Sequence, residues 1–202
     1  MKIVPYSEAY KDSWNAFVQT SKNGLFLFDR NYMDYHKDRF PDASLMVFKD
    51  NDELVAILPA NIKGSCLQSH GGLTFGGLIT DSQLGTPRFL DVFAAVLDHY
   101  RGRGVTTFEY KTIPRIYHQY PADEERYALF LIGAEWYRSD VGSAIQTAPR
   151  LPYQKRRQRE IKGAQRLGSY AEESLAWTSF WDVLSENLLR KHGLKPVHTL
   201  DE

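Results

Sequence analysis

Residues 79–111 have the sequence ITDSQLGTPRFLDVFAAVLDHYRGRGVTTFEYK and carry the clearest structural signal in the chain. Thr86-Pro87 predicts the start of a helix, because threonine caps helices and proline is favoured in their first turn. Apolar side chains then recur every three or four residues, which is the spacing of one buried helix face. They are Phe89, Phe93, Val96, Leu97 and Tyr100. Gly102 and Gly104 predict the end of this helix, and the run 105–111 predicts a strand after it.

Two helices and a hairpin are predicted upstream of this segment. Residues 2–6 predict a short strand, after which Ser7 is expected to cap a first helix and Asp29 a second. The runs 43–49 and 54–62 are rich in strand-forming residues and flank a polar turn. They therefore predict a β-hairpin.

Strands and helices continue to alternate through the rest of the first 150 residues. A strand region with glycine interruptions covers 65–79. The acidic run 123–125 favours a helix N-terminus, and residues 136–147 predict one more strand. The predicted order is strand, two helices, three strands, helix, strand, helix and strand. This order makes the fold class α/β, in the α+β sense of a mixed sheet.

The composition excludes several classes of protein. Lys plus Arg and Asp plus Glu are both 25 in 202 residues, so a net charge of zero provides no global attraction to nucleic acid or membranes. No segment predicts a signal peptide or a membrane span, and we therefore expect a cytoplasmic protein. The single cysteine, Cys66, excludes an internal disulfide, and no spacing of ligand residues predicts a metal site.

The last quarter of the chain begins with a basic segment. Residues 150–168 predict a helix with seven Lys or Arg and one Glu, and seven minus one gives a net charge of +6. Residues 169–172 predict a strand, and the apolar spacing after Trp177 predicts another helix. One strand and one helix cannot cover their apolar faces alone. We therefore expect a domain over 1–149, a basic interdomain helix, and the start of a truncated second domain over 169–202.

Several short stretches, taken in order, resemble one protein family. They are Asn23–Phe28, Tyr32–His36, Arg39–Phe40, Leu58–Asn61, Ser69–Thr74, Gly76–Gly77, Tyr110–Lys111, Ile116–His118, Tyr120–Ala122, Lys155–Arg157, Ile161–Lys162, His192–Gly193 and Lys195–His198. The set resembles a bacterial family of GNAT-like acyltransferases related to the FemAB peptidyltransferases, and it covers nearly the whole chain. The predicted order of strands and helices is also that of the GNAT fold.

The resemblance implies two tandem GNAT-like domains, of which this chain covers the first and the start of the second. It implies transfer of an acyl group from acyl-CoA, bound in the second domain, to an amine or hydroxyl of a cell-envelope or polysaccharide precursor. FemAB relatives take the acyl group from aminoacyl-tRNA, so an aminoacyl-tRNA-dependent peptidyltransferase is the alternative. GNAT domains bind coenzyme A at a glycine-rich turn, whereas residues 80–87 contain one glycine, an acidic residue and a proline. We therefore expect no coenzyme A at this turn.

His70 is the one candidate for a catalytic group, and no motif fixes its role. It precedes Gly71-Gly72 in a strand region with two further glycines, a pattern typical of a bulge or of close approach by a ligand or another backbone. It can orient an acceptor or remove its proton, because the ordinary pKa of histidine lies near neutrality. The alternative is that the glycines only splay the strand and His70 satisfies a local hydrogen bond.

Further candidates for acceptor binding follow the strand 105–111 or carry positive charge. They are Arg39, Lys111, Tyr117, His118, Tyr120, Arg156 and Arg157. Open α/β sheets bind ligands at the carboxyl ends of their strands, and arginine suits anionic groups. The alternatives are an aromatic loop packed on the surface and a solvated interdomain helix.

The sequence therefore supports two hypotheses that belong to different functional classes. The first is an acyltransferase whose partner is a small-molecule, glycan or peptide acceptor, with tRNA as a partner only in the alternative donor chemistry. The second is a non-catalytic acceptor-binding module.

Overall fold

The structure, a computed structural model, describes residues 1–119 and 121–201, without the side chain of His36. The chain divides into two compact units, Met1–Ser139 and Asp140–Glu202. All strands of the described residues belong to the first unit, which combines them with helices. The predicted mixed α/β class is confirmed.

The first unit is built on a four-stranded antiparallel sheet. Its strands are β1 (Lys2–Pro5), β2 (Leu45–Phe48), β3 (Leu54–Leu58) and β6 (Ile79–Thr80), in the order β1-β2-β3-β6. The predicted hairpin is confirmed, because β2 and β3 pair antiparallel around the polar turn. Nearly every side chain of these two strands is buried, since the sheet has an apolar cluster on each face.

Helices pack against both faces of this sheet and complete the two apolar clusters. Helix α1 (Lys11–Thr20) packs Trp14, Phe17 and Val18 into one cluster, and α3 (Thr86–Arg101) packs its apolar face into the other. The remaining helices of this unit are α2 (Arg30–Met33) and α4 (Glu124–Leu131). Single 3-10 turns lie at Glu8–Tyr10, Phe26–Phe28, Asp34–His36 and Arg115–Tyr117.

The predicted helix caps are confirmed in one case of three. Asp29 caps α2, because its carboxylate accepts a hydrogen bond from Asn31 N at 2.8 Å. Ser7 makes no side-chain cap, since a 3-10 turn separates it from α1. Gly85 rather than Thr86 is the N-cap residue of α3, which places the proline within its first turn.

The first unit also contains a second sheet, which has three strands. Two of the predicted strands are each divided into two shorter strands, one in each sheet. The strands of the second sheet are β4 (Asn61–Lys63), β5 (Cys66–Gln68) and β7 (Thr107–Glu109), with β5 antiparallel to β4 and parallel to β7. The predicted strand 54–62 breaks at Pro59-Ala60, so its two parts join different sheets. The predicted strand 65–79 likewise gives β5 and β6, which are joined by the loop 69–78.

The second unit contains two helices, α5 (Lys155–Arg166) and α6 (Trp177–His192), and none of its described residues is buried. The predicted strands 136–147 and 169–172 are not formed. A strand needs a neighbouring backbone for its hydrogen bonds, and none of the strands in the described part of the chain pairs with either segment. No helix among the described residues is long and apolar enough to cross a bilayer.

Candidate functional site

The loop 69–78 is held by Glu109, the last residue of β7, and by Lys111, two residues further along the chain. The Ser69 backbone N–H donates to Glu109 O at 3.0 Å, and the Ser69 hydroxyl accepts from Lys111 N at 2.7 Å. The Lys111 ammonium donates to His70 O at 3.0 Å and to Leu73 O at 2.6 Å. Burial lowers the pKa of Lys111, while nearby Glu109 opposes this shift. Lys111, predicted to bind an acceptor, is therefore engaged as a clamp on the loop.

A row of polar side chains crosses the second sheet and reaches the same loop. Asn61, Gln68 and Glu109 lie opposite one another in the strand registers, so their side chains share one face. Gln68 Nε2 donates to Glu109 Oε2 at 2.7 Å, and Asn61 Nδ2 donates to Gln68 Oε1 at 3.1 Å. Gly71 N then donates to Asn61 Oδ1 at 2.6 Å. The row thus connects the loop to all three strands.

His70 occupies the centre of this arrangement in an unusual backbone conformation. Its φ is +65°, in the left-handed region that is uncommon for residues other than glycine, although asparagine, aspartate and histidine adopt it more often than the rest. The residue is only 5% exposed, and its ring lies 5.4 Å from the ring of Phe40, centroid to centroid. Its buried Nδ1 has no hydrogen-bond partner among the described residues. Burial lowers the pKa of His70 to about 4, so the imidazole is neutral at neutral pH.

Two charged residues that the sequence analysis did not select stand near His70. Asp42 opposes the lowering of the His70 pKa, and Arg30 adds to it. Arg30 is buried, with Nη1 at 2.8 Å from Asp42 Oδ2 and its guanidinium 3.4 Å from the centre of the Tyr6 ring. Arg30 Nε and Nη2 have no partner among the described residues. Burial also raises the pKa of Tyr6 to about 12.

The glycines of the loop permit close approach by other parts of the protein. A Cβ on Gly76 would stand 1.7 Å from Ser69 O, and one on Gly77, whose φ is +91°, would stand 2.7 Å from Tyr110 Oη. Tyr110 Oη accepts from Leu78 N at 2.8 Å and donates to Glu125 Oε2 at 3.0 Å. The glycine pattern therefore has a structural cause at these two positions.

Tyr110 and Glu125 form a buried pair behind the loop. Burial raises the pKa of Glu125 to about 7 and raises that of Tyr110 well above its ordinary range. The sequence pattern of the run 123–125 indicates only acids at a helix N-terminus, where Glu124 and Glu125 indeed lie. The structure uses Glu124 differently, since its carboxylate pairs with the buried ammonium of Lys22 at 2.7 Å.

The remaining predicted site residues divide between two regions. Tyr117 is exposed and its ring lies 5.4 Å from that of Phe75, which belongs to the loop. His118 Nε2 lies 3.2 Å from Ile113 O, and burial lowers the pKa of its ring. Arg39 is exposed and precedes Phe40, which contacts His70. Tyr120 lies outside the described residues.

Arg156 and Arg157 belong to the second unit, on α5. Arg156 Nε and Arg157 Nη1 each lie 3.0 Å from a carboxylate oxygen of Glu160. Both ion pairs are exposed. The structure therefore pairs these arginines with their own helix, and their proposed contact with an anionic acceptor stays a prediction.

The turn 80–87 offers few free amide groups to an anion. The Asp81 carboxylate accepts from Gln83 N, while Asp81 N donates to Val55 O at 3.0 Å. Pro87, within the first turn of α3, has no N–H at all. A pyrophosphate at this turn would also meet the negative charge of Asp81. In the described part of the chain, no three His, Cys, Asp or Glu residues are grouped so that they could hold a metal ion.

Comparisons with known proteins give no family for the chain. No protein-family model and no curated protein matches it. Among solved structures, a point mutant of TTHA1254 from Thermus thermophilus is similar at 14% identity and a TM-score of 0.43, over 72% of this chain and 98% of that one. The apo aminoglycoside antibiotic 6'-N-acetyltransferase AAC(6')-IG from Acinetobacter haemolyticus is similar at 12% identity and a TM-score of 0.40, over 72% and 99%. Likenesses at this level identify no function for this chain, whose mixed α/β architecture rests on its own strands and helices.

Proposed function

We propose that this chain is the acceptor-binding part of a GNAT-like acyltransferase with two tandem domains. The enzyme transfers an acyl group from acyl-CoA to an amine or hydroxyl of a cell-envelope or polysaccharide precursor. The family resemblance of the sequence supports this reaction class. The observation that carries the acceptor site is His70, which is buried in a left-handed backbone conformation with an unpartnered ring nitrogen.

The conformation of His70 is costly, which is why it points to a function. A left-handed residue other than glycine costs about 1–3 kcal/mol, and such residues cluster at binding and catalytic sites. An unpartnered buried polar atom adds roughly 1–3 kcal/mol. Lys111 and Asn61 hold both polar groups of the peptide between His70 and Gly71, which opposes relaxation of this conformation. An acceptor that hydrogen-bonds to Nδ1 would remove the second cost.

The neutral ring defines what His70 can do for an acceptor. A neutral imidazole has one N–H donor and one acceptor nitrogen, so it can orient a hydroxyl or amine in either sense. A pKa of about 4 makes it a weak base at neutral pH, where general bases work best with pKa values near the working pH. We therefore assign His70 an orienting role. It would hold the acceptor for direct attack on the thioester carbonyl, with the acyl C–S bond broken, the coenzyme A thiolate as leaving group and recipient of the acceptor's proton, and no covalent enzyme intermediate. Asp42 stands nearby and can accept a further hydrogen bond from an acceptor amine.

The donor belongs to the second domain in this proposal. The turn 80–87 supports that division, because Asp81 already occupies an amide of the turn and Pro87 lacks one. The same observation favours the second candidate function, a non-catalytic acceptor-binding module. Neither candidate requires coenzyme A on the first domain, so acyl transfer from acyl-CoA by the whole two-domain protein would distinguish them.

The acceptor site is tested with His70→Asn, because asparagine tolerates the left-handed conformation. The chain is titrated with a panel of amino sugars, nucleotide sugars and muropeptides while the backbone NMR signals of residues 69–74 are followed. We expect one class to shift these signals, and His70→Asn to weaken its binding at least about tenfold through loss of a buried hydrogen bond. The matched control is His99→Asn, which replaces a half-buried histidine of α3 that also has an unpartnered ring nitrogen. A panel without effect on residues 69–74, or equal loss in both variants, would overturn the proposed site.

A further inference from the structure

The cations of α5 fall into two sets with different surroundings. Arg156 and Arg157 are paired with Glu160. Four others are exposed, and their side chains have no partner among residues 1–119 and 121–201. They are Lys155, Arg159, Lys162 and Arg166. We call these four residues the basic stripe.

The stripe is a straight row on one side of the helix. Its members are separated by four, three and four positions, which at about 100° per residue keeps them within an arc of roughly 60°. The row extends over about 16 Å, since each helical residue adds about 1.5 Å. Glu160 lies on a different side of α5, so no acidic residue of the helix interrupts the row. The result is an uncompensated line of four positive charges on a chain whose net charge is zero.

A straight row of cations suits a repeating anion better than a single one. One phosphate or carboxylate is bound by charges that converge on it, whereas evenly spaced charges follow a chain of phosphates. Exposed aromatic rings stand at both ends of the helix, Tyr153 before it and Tyr170 after it. The Arg150 guanidinium lies 4.7 Å over the Tyr153 ring and adds a fifth cation at that end. Proteins bind single-stranded nucleic acids with this combination: cations that follow the phosphate backbone and aromatic side chains on which the bases stack.

We propose that α5 binds single-stranded nucleic acid, with phosphates along the basic stripe and bases against Tyr153 and Tyr170. The proposal is independent of acyl transfer. A membrane surface is the less favoured partner, because the side of α5 away from the stripe offers only Ile161, Ala164 and Leu167 as apolar residues. An amphipathic membrane helix needs larger apolar and aromatic groups there.

The salt dependence of binding gives a quantitative expectation. Each phosphate neutralised on a single strand contributes about −0.7 to the slope of log K against log salt concentration, so four contacts give about −2.8. Removal of two contacts should bring the slope to about −1.4 and weaken binding about 25-fold near 0.1 M salt. Loss of a stacking tyrosine should weaken binding by at least about fivefold without a change in slope.

The experiment measures fluorescence anisotropy of a labelled oligouridylate of about twelve nucleotides with the full chain. The variant Lys155→Gln/Arg159→Gln is compared with Arg156→Gln/Arg157→Gln, which removes the same charge from the same helix. We expect the first to show the loss and reduced slope given above, and the second to change binding by less than about threefold, because its arginines are compensated by Glu160. Tyr170→Ser should weaken binding to oligouridylate and leave binding to heparin unchanged.

Three results would overturn the proposal. Equal losses in the two double variants would show a general charge effect. Binding of heparin and oligouridylate with the same affinity and the same response to Tyr170→Ser would remove the role of the bases. Binding to phosphatidylserine vesicles that depends on the stripe, with none to oligouridylate, would assign α5 to a membrane surface.

Discussion

Replacement of Glu125 by glutamine should change the pH dependence of stability by a predictable amount. Glu125 is buried, its carboxylate accepts from Tyr110 Oη at 3.0 Å, and burial raises its pKa from 4.5 to about 7. A pKa that is higher in the folded state stabilises the fold at low pH. This contribution is fully present below the unfolded value and is lost as the pH rises through the folded value. Its full size is roughly 3 kcal/mol, at about 1.4 kcal/mol for each tenfold change in proton affinity.

The Glu125→Gln variant isolates this contribution from other groups. The oxygen of the new amide can still accept from Tyr110, so the contact with Leu78 is kept, while the side chain no longer binds or releases a proton. Between about pH 5.5 and pH 8 the wild type should lose about 2 kcal/mol relative to Glu125→Gln. Burial also lowers the pKa of His70, His99 and His118, which changes stability in the opposite direction. These histidines are present in both proteins, so the difference between the two unfolding free energies removes their effect.

Urea denaturation at several pH values measures this difference directly. A difference between wild type and Glu125→Gln that stays constant within about 0.5 kcal/mol from pH 5.5 to pH 8 would refute the reasoning. Such a result would mean that the carboxylate is hydrated when ionised, and that the Tyr110–Glu125 pair does not exclude water.

Two further predictions concern the turn 80–87 and the loop 69–78. Calorimetry of the chain with millimolar acetyl-CoA should show no saturable heat, because Asp81 and Pro87 leave the turn few free amides; a micromolar site contacting the turn, worth about 8 kcal/mol, would contradict this and favour a catalytic first domain. Gly77→Ala should destabilise the fold by at least about 1–3 kcal/mol, because φ is +91° and the new Cβ would stand 2.7 Å from Tyr110 Oη. Gly142→Ala, which would meet no atom within 4 Å, should stay within about 0.5 kcal/mol of wild type in the same thermal melts, and equal effects of the two changes would disprove the steric account.

Local patterns were sufficient for the elements whose neighbours in sequence are also their neighbours in space. The 3.6-residue spacing predicted α3, the polar turn between two apolar runs predicted the hairpin of β2 and β3, and Asp29 predicted the start of α2. The break of the run 54–62 into two strands was not predictable in this way. Apart from Asn61 the residues on both sides of Pro59 are apolar, and the change of sheet depends on which distant strand each half pairs with.

The polar contacts of the site were even less accessible to sequence reasoning. Arg30 and Asp42 carry no motif, and they are brought together only when α2 packs against the sheet whose strand β2 follows Asp42. Asn23 is a similar case, since Oδ1 accepts from Thr80 N at 3.0 Å and Nδ2 donates to Leu78 O at 2.9 Å. Its side chain thus makes hydrogen bonds with β6 that a neighbouring strand would otherwise make, although more than fifty residues separate Asn23 from β6 in the sequence. His70 and Lys111 were selected separately as site candidates, and the contact between them depends on the parallel pairing of β5 with β7.

Three consecutive residues, the last of β7 and the two that follow it, hold both ends and the middle of the loop. Glu109 and Lys111 hold its beginning and middle through Ser69, His70 and Leu73, whereas Tyr110 reaches its other end at Leu78. Successive residues of an extended chain point to opposite faces, so the loop is held from both sides of one segment. The backbone of His70 therefore has little freedom to relax into a more favourable conformation. This is the physical reason that a left-handed histidine can persist there. The position of its ring is therefore fixed by contacts with the β7 segment rather than by the sequence of the loop that contains it.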